Sequence, residues 1–158
     1  MKKILTAIAL LIISVAASRA ADRIVIDKPS LMLYVISEKA DTLFRAPVCV
    51  GKNLGDKQRK GDMRTPEGTF SITQIQDAST WTHDFNDGAG ERKGAYGPYF
   101  FRLATPPHTG IGIHGTCFPE RISTRDSEGC IRLLDDDLRR LRPYVFKGME
   151  VKITPDKR

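Results

Sequence analysis

A histidine and a cysteine sixteen residues apart carry the chemistry open to this chain. His114 stands in Ile113-His114-Gly115-Thr116, and Cys130 in Ser127-Glu128-Gly129-Cys130-Ile131-Arg132-Leu133. A thiol is a weak nucleophile until it loses its proton, and an imidazole is the usual acceptor. The glycine before the cysteine permits a tight turn and frees the backbone N–H groups of Gly129 and Cys130 to face a substrate oxygen. Arg132 offers a planar fork of donors suited to a carboxylate. Each residue also has a plainer reading: Cys130 as a small buried hydrophobe, His114 as the cap of an apolar strand, and Arg132 as a partner of Glu128 or Asp135. The polar flanks of Cys130 are poor company for a purely apolar pocket, which favours the nucleophile.

The ordered string IHGT…SxGCIRL resembles the signature of the L,D-transpeptidases of bacterial cell walls, the YkuD type. Thr65-Pro66-Glu67-Gly68-Thr69-Phe70 is similar to the family's TPxGxF segment, and Tyr96-Gly97-Pro98-Tyr99-Phe100-Phe101 to its YGP segment, in the family's order. The resemblance implies a mainly β fold, a sandwich or barrel with one short helix after the cysteine. It implies that Cys130 attacks a peptide carbonyl and that His114 is its base. The carbonyl of Gly115 would hold the imidazole in one tautomer, with Gly129 and Cys130 as oxyanion donors. Arg132 and Ser127 would order the site or meet substrate. The implied substrates are peptidoglycan peptide stems, joined by 3→3 crosslinks or passed to another amine, with no cofactor. A carboxypeptidase, or a hydrolase releasing a stem-linked protein, would use the same residues. A non-catalytic wall-binding protein is the remaining alternative. Some members carry a histidine where this chain has Glu128, which removes an active-site imidazole and places a carboxylate close to the thiol.

Residues 76–97 read as a long glycine-containing insertion between strands. It is either a lid, with Trp81 and Tyr96 as contacts for a stem, or a surface excursion in which Trp81 packs. His83 and His108 read as surface residues, His83 with a chance of lining a groove. Of three cysteines, Cys49 and Cys117 are free to pair with each other, Cys49 to stay buried and reduced, or Cys117 to pair with Cys130. A zinc site on His114, Cys117 and Cys130 lacks a close cysteine pair and an evident fourth ligand, so no metal is expected.

Around these residues stand the elements that must position them. Lys2 and Lys3, the apolar run Leu5–Val15 and the small residues up to Ala20 form a secretory leader pattern, too short to be a comfortable membrane anchor. Residues 1–20 are thus expected to be a signal peptide and 21–158 a single catalytic domain, exported to the periplasm or wall. Losing Lys2, Lys3 and Arg19 takes the formal charge from +6 to +3, which gives no argument for nucleic acid. Nothing in the sequence fixes an oligomeric state. Short β-rich runs at 23–26, 31–36, 42–50, 69–75, 99–104, 110–114 and 149–154 read as strands. Residues 52–64, rich in charge and glycine, read as a solvent loop. Asp135 reads as the N-cap of a helix ended by Pro143, with Leu138, Leu141 and Val145 facing the core.

Overall fold

The structure, a computed structural model, describes residues 22–156. The expected leader lies outside them. In chain order the strands are β1 (Arg23–Asp27), β2 (Met32–Ile36), β3 (Thr42–Pro47), β4 (Val50–Gly51), β5 (Gly68–Asp77) and β6 (Thr82–Asp84). They continue with β7 (Glu91–Lys93), β8 (Tyr99–Ala104), β9 (Gly112–His114), β10 (Arg125–Ser127), β11 (Ile131–Arg132) and β12 (Glu150–Ile153).

Side-chain alternation explains the first of these. β1 buries Ile24 and Ile26, and β2 buries Leu33 and Val35, while their other residues point outward. This period of two is what a sheet with one buried face requires. β12 repeats it with Val151 and Ile153 and pairs with β1 in parallel, Ile24 opposite Val151. Eight strands form one sheet in the order β11-β9-β8-β5-β12-β1-β2-β3. The core inside it contains Leu33, Ile72, Phe101, Ile113, Ile131 and Leu133.

The ends of this sheet meet. The chain leaving β3 passes through Val48 to Cys49, which exchanges both backbone hydrogen bonds with Arg132 of β11 at 2.9 Å each. Immediately beyond, β4 pairs in parallel with β10. The run expected as one strand over 42–50 is therefore broken where the chain leaves β2 and crosses to β11. The sheet is curled on itself, and the fold is mainly β with one short helix, as expected.

That helix, α1 (Asp135–Leu141), carries three aspartates in its first turn and Arg139 and Arg140 in its last, which suits the helix dipole. Leu138 and Leu141 are fully buried, and Arg142–Tyr144 adds one 3-10 turn around Pro143. Asp135 is not the N-cap. Leu134 holds that position, and the Asp135 carboxylate instead accepts the Thr116 N–H at 3.0 Å.

Two segments expected as loops have more structure. Lys57, within 52–64, is buried and paired with Asp62 at 2.8 Å. Residues 76–97 contain the β6–β7 hairpin, with His83 opposite Arg92. No helix among the described residues is long and apolar enough to cross a membrane.

Candidate active site

β9 and β11 run parallel, with Ile113 opposite Ile131 and His114 opposite Arg132. Because side chains alternate along a strand, Ile113 and Ile131 point together into the core, where both are fully buried. Gly112 and His114 of β9, and Arg132 of β11 with Cys130 just before it, share the opposite face. A cavity of about 710 Å³ lies over that face, and His114, Cys130 and Arg132 line it together with Trp81 and Tyr96.

Gly112 has no side chain because the Phe100 ring occupies its place: a Cβ there would lie 2.4 Å from that ring. The His114 imidazole stacks on Phe100 at 5.4 Å between centroids and 13° between planes, and meets the Tyr96 ring at 4.9 Å. Its Nδ1 lies 2.7 Å from the Gly115 carbonyl. A carbonyl can only accept, so Nδ1 carries the hydrogen and Nε2 keeps its lone pair. Gly115 is sterically required, since a Cβ would stand 2.1 Å from Asp135 Oδ1 and 2.8 Å from Gly97 Cα. Gly97 approaches so closely because Gly115 N–H donates to the Tyr96 carbonyl at 2.7 Å. The Tyr-Gly-Pro turn thus clamps the residue after the histidine and lays Tyr96 over the imidazole.

The cysteine loop is held from beneath. Ser127 Oγ donates to the Cys130 carbonyl at 2.6 Å and accepts the Gly129 N–H at 3.1 Å. Thr65 Oγ1 donates to the Gly129 carbonyl at 2.9 Å and accepts the Gly51 N–H at 2.8 Å. Gly129 sits at φ +134 with Arg64 O 2.7 Å from where a Cβ would be, so only glycine fits. Thr65 belongs to the Thr-Pro-Glu-Gly segment. Behind it, the buried Lys28 ammonium reaches the Thr65 carbonyl at 3.2 Å, Glu67 at 2.7 Å and Asp156 at 2.9 Å.

Burial pushes His114 down to about 3, helped by the Arg132 charge and opposed by the Gly115 bond. Burial also pushes the Cys130 thiol up, and the Glu128 charge adds to this; the Gly112 N–H and Arg132 oppose it without cancelling it. The pair therefore rests as a thiol and a neutral imidazole. Cys130 Sγ, half-buried, lies 3.5 Å from the Gly110 carbonyl.

Of the residues singled out in the sequence, Cys130, His114, Arg132, Trp81 and Tyr96 share the cavity. Trp81 also packs, edge-on to Tyr96 at 5.7 Å and tilted on Phe100 at 5.6 Å. Gly115 lies behind His114. Ser127, expected to order the site or to meet substrate, is buried with its hydroxyl committed to ordering the loop. The Gly129 N–H, expected as an oxyanion donor, is engaged by Ser127 Oγ at 3.1 Å.

His83, given a chance of lining a groove, does line the cavity; so do His108, read as surface, and Lys57 and Lys60 from the supposed solvent loop. Glu128, read as a lost imidazole, meets one after all: His83 Nε2 lies 2.9 Å from Glu128 Oε2. All three cysteines are free, and Cys49 is completely buried. Among the described residues no group of three His, Cys, Asp or Glu is placed to hold a metal ion.

Comparison with known proteins gives the family and the fold. Residues 21–153 match the L,D-transpeptidase catalytic domain, YkuD. A putative L,D-transpeptidase YkuD of Bacillus licheniformis is 34% identical over 109 residues, covering 69% of this chain and 52% of that protein. A probable L,D-transpeptidase, YcfS, of Escherichia coli is 30% identical over 145 residues, covering 82% and 43%. The chain thus spans about half the length of the curated relatives it matches. Among solved structures, the helical cell shape determining protein Pgp2 of Campylobacter jejuni shares the fold with a TM-score of 0.65 at 22% identity, covering 87% of this chain and 49% of that one. The catalytic domain of the Enterococcus faecium L,D-transpeptidase gives 0.60 at 22% identity, covering 84% and 95%. With three sequence segments in order, a curled sheet and a whole-domain match, the chain belongs to the L,D-transpeptidase catalytic domain family.

Proposed function

We propose that this chain is an exported cysteine acyltransferase that acts on peptidoglycan peptide stems. The observation that carries the reading is the common face of β9 and β11, which sets Cys130 and the free Nε2 of His114 into one cavity. Cys130 Sγ attacks the carbonyl between the L-centre of a diamino acid and the terminal D-alanine, while His114 Nε2 takes the thiol proton. The tetrahedral oxyanion meets the Cys130 N–H. Collapse breaks the C–N bond, the leaving amine takes the proton from His114, and a thioester remains on Cys130. A second amine attacks that thioester, gives its proton to His114, and the departing sulfur recovers it. Arg132 suits a substrate carboxylate: it is buried, lines the cavity, and among the described residues its Nε has no hydrogen-bond partner. Trp81 and Tyr96 supply an apolar wall for the stem. No step needs a cofactor, and the leader pattern of residues 1–20 supports work at the wall.

Incubation of the mature protein with purified muropeptides, read by mass, tests this. Crosslinked dimers support the transferase. Tripeptide without dimers moves the assignment to a carboxypeptidase, and release of a stem-linked protein to a hydrolase. No change in any substrate sinks acyl transfer altogether.

A further inference from the structure

Among the described residues that line the cavity, Glu128 is the one carboxylate, and it shares the walls with four cations, Lys57, Lys60, Arg102 and Arg132. A carboxylate present only to balance charge would pair with one of these. Lys57 pairs with Asp62 instead, and among the described residues the ion partner of Glu128 is His83. A carboxylate can only accept, so His83 Nε2 donates to Glu128 Oε2 at 2.9 Å, and His83 Nδ1 meets the Tyr96 hydroxyl at 3.1 Å. The imidazole is fixed in turn, edge-on to Phe85 at 4.6 Å and to Tyr96 at 5.7 Å. The 76–97 insertion, through its β6–β7 hairpin and the Tyr-Gly turn that follows, thus meets the cysteine loop 45 residues further on from His83 and aims one carboxylate. Its side chain is 42% exposed, at the mouth rather than in the core, and it stands two residues before Cys130.

We infer that Glu128, held by His83 and Tyr96, is a subsite for a primary ammonium group of the peptide substrate. The inference rests on the acyl-transfer reading above. A fixed anion beside the thiol works against thiolate formation, so its place there calls for a different use. A carboxylate already oriented by an imidazole binds an alkylammonium through a charge-assisted hydrogen bond without first losing side-chain freedom. The cations elsewhere on the wall suit the carboxylates of a stem, so the cavity would read a zwitterionic peptide at both of its charges. Two sources offer the same group: the side-chain amine of the donor stem, and the incoming acceptor. His83 and Tyr96 are positioning residues for Glu128.

The experiment uses a synthetic tetrapeptide stem with its side-chain amine free or acetylated, and glycinamide as acceptor in competition with water. Wild type is compared with Glu128→Gln, Glu128→Asp and His83→Gln. The wild type should prefer the free amine, either as a KM about tenfold lower for the unacetylated donor or as an aminolysis-to-hydrolysis ratio about tenfold higher than in Glu128→Gln. The first result assigns the subsite to the donor, the second to the acceptor, and each supports it. Glu128→Asp should restore part of the preference, and His83→Gln should lose part of it. A Glu128→Gln enzyme that keeps both preferences within about twofold overturns the subsite, whatever happens to its kcat. A wild type that forms no thioester on Cys130 with any stem, by intact mass, overturns the acyl-transfer reading itself. A thioester with unchanged preferences overturns only the subsite.

Discussion

Alkylation of Cys130 by iodoacetamide should slow about tenfold for each pH unit below the ordinary thiol range, with no plateau near neutrality. Cys–His spacing alone invites the opposite expectation, a preformed thiolate–imidazolium couple. His114 is pushed down to about 3 by burial and Arg132, and the Cys130 thiol is raised above its ordinary 9.0 by burial. Moving the proton from sulfur to imidazole thus spans at least about six pKa units, or about 8 kcal/mol. Attraction between the two charges returns about 4 kcal/mol at a 4 Å separation and an effective dielectric near 20. The attraction falls short of that gap, so the neutral thiol and imidazole are favoured. The assay follows intact mass against pH in a Cys117→Ser background; Cys49 is shielded by burial. His114→Ala should leave this profile nearly unmoved while acyl transfer collapses, because His114 acts during attack rather than before it. A flat rate between about pH 5 and pH 7 that disappears in His114→Ala would refute the reasoning.

Cys130→Ala should abolish turnover and the mass adduct formed with a carbapenem while leaving the thermal midpoint unchanged; Cys49→Ser should keep both, and an adduct surviving in Cys130→Ala would move the nucleophile elsewhere. Thr65→Val keeps the side-chain shape but strands the Gly51 N–H and the Gly129 carbonyl. It should cost about 2–4 kcal/mol in urea unfolding and lower kcat, with Thr65→Ser retaining most of both. Gly115→Ala must displace Asp135, and a loss of about 1–3 kcal/mol together with weaker protection of the Thr116 amide in hydrogen exchange would show it. Burial alone would raise Asp156, but its bonds to Lys28, the Gly55 N–H and Arg125 outweigh that and hold its carboxyl below 3.8. Its contribution to stability is therefore present above about pH 4 and is lost as pH falls through the lower folded value. Asp156→Asn should flatten that acid limb when unfolding midpoints are plotted against pH.

Much of the fold was legible because it is written in local alternation. Ile24 and Ile26, Leu33 and Val35, and Val151 and Ile153 mark their strands without help from the rest of the chain. The same period puts Cys130 and Arg132 on one side of a strand. The parts that could not be read depend on how loops fold back, in some places onto residues distant in sequence. Glu128 and His83 lie 45 residues apart, and nothing local to either announces the other. Lys57 sits among charged residues and so reads as solvated, yet Asp62 and the Arg64 carbonyl satisfy its ammonium and let it be buried. Asp135 has the composition of a cap, but a backbone N–H nineteen residues earlier in the chain claims its carboxylate. Ser127 and Gly129 stand among polar neighbours in sequence, and the loop turns both of them inward.

The meeting of the sheet's ends at Cys49 and Arg132 provides a chemical clock for the site. Cys49 is fully buried, and its backbone closes the strand that carries Arg132. A thiol reagent can reach its sulfur only while that closure is open. The labelling rate of Cys49, compared with that of an unfolded peptide, therefore reports the free energy of opening at the edge of the cavity. Measured across urea concentrations, that rate separates two cases. If the slope matches global unfolding, the two ends of the sheet part only when the whole domain does. If the slope is near zero, the edge breathes on its own, and a peptide as large as a crosslinked stem has a route in and out that leaves the rest of the sheet closed.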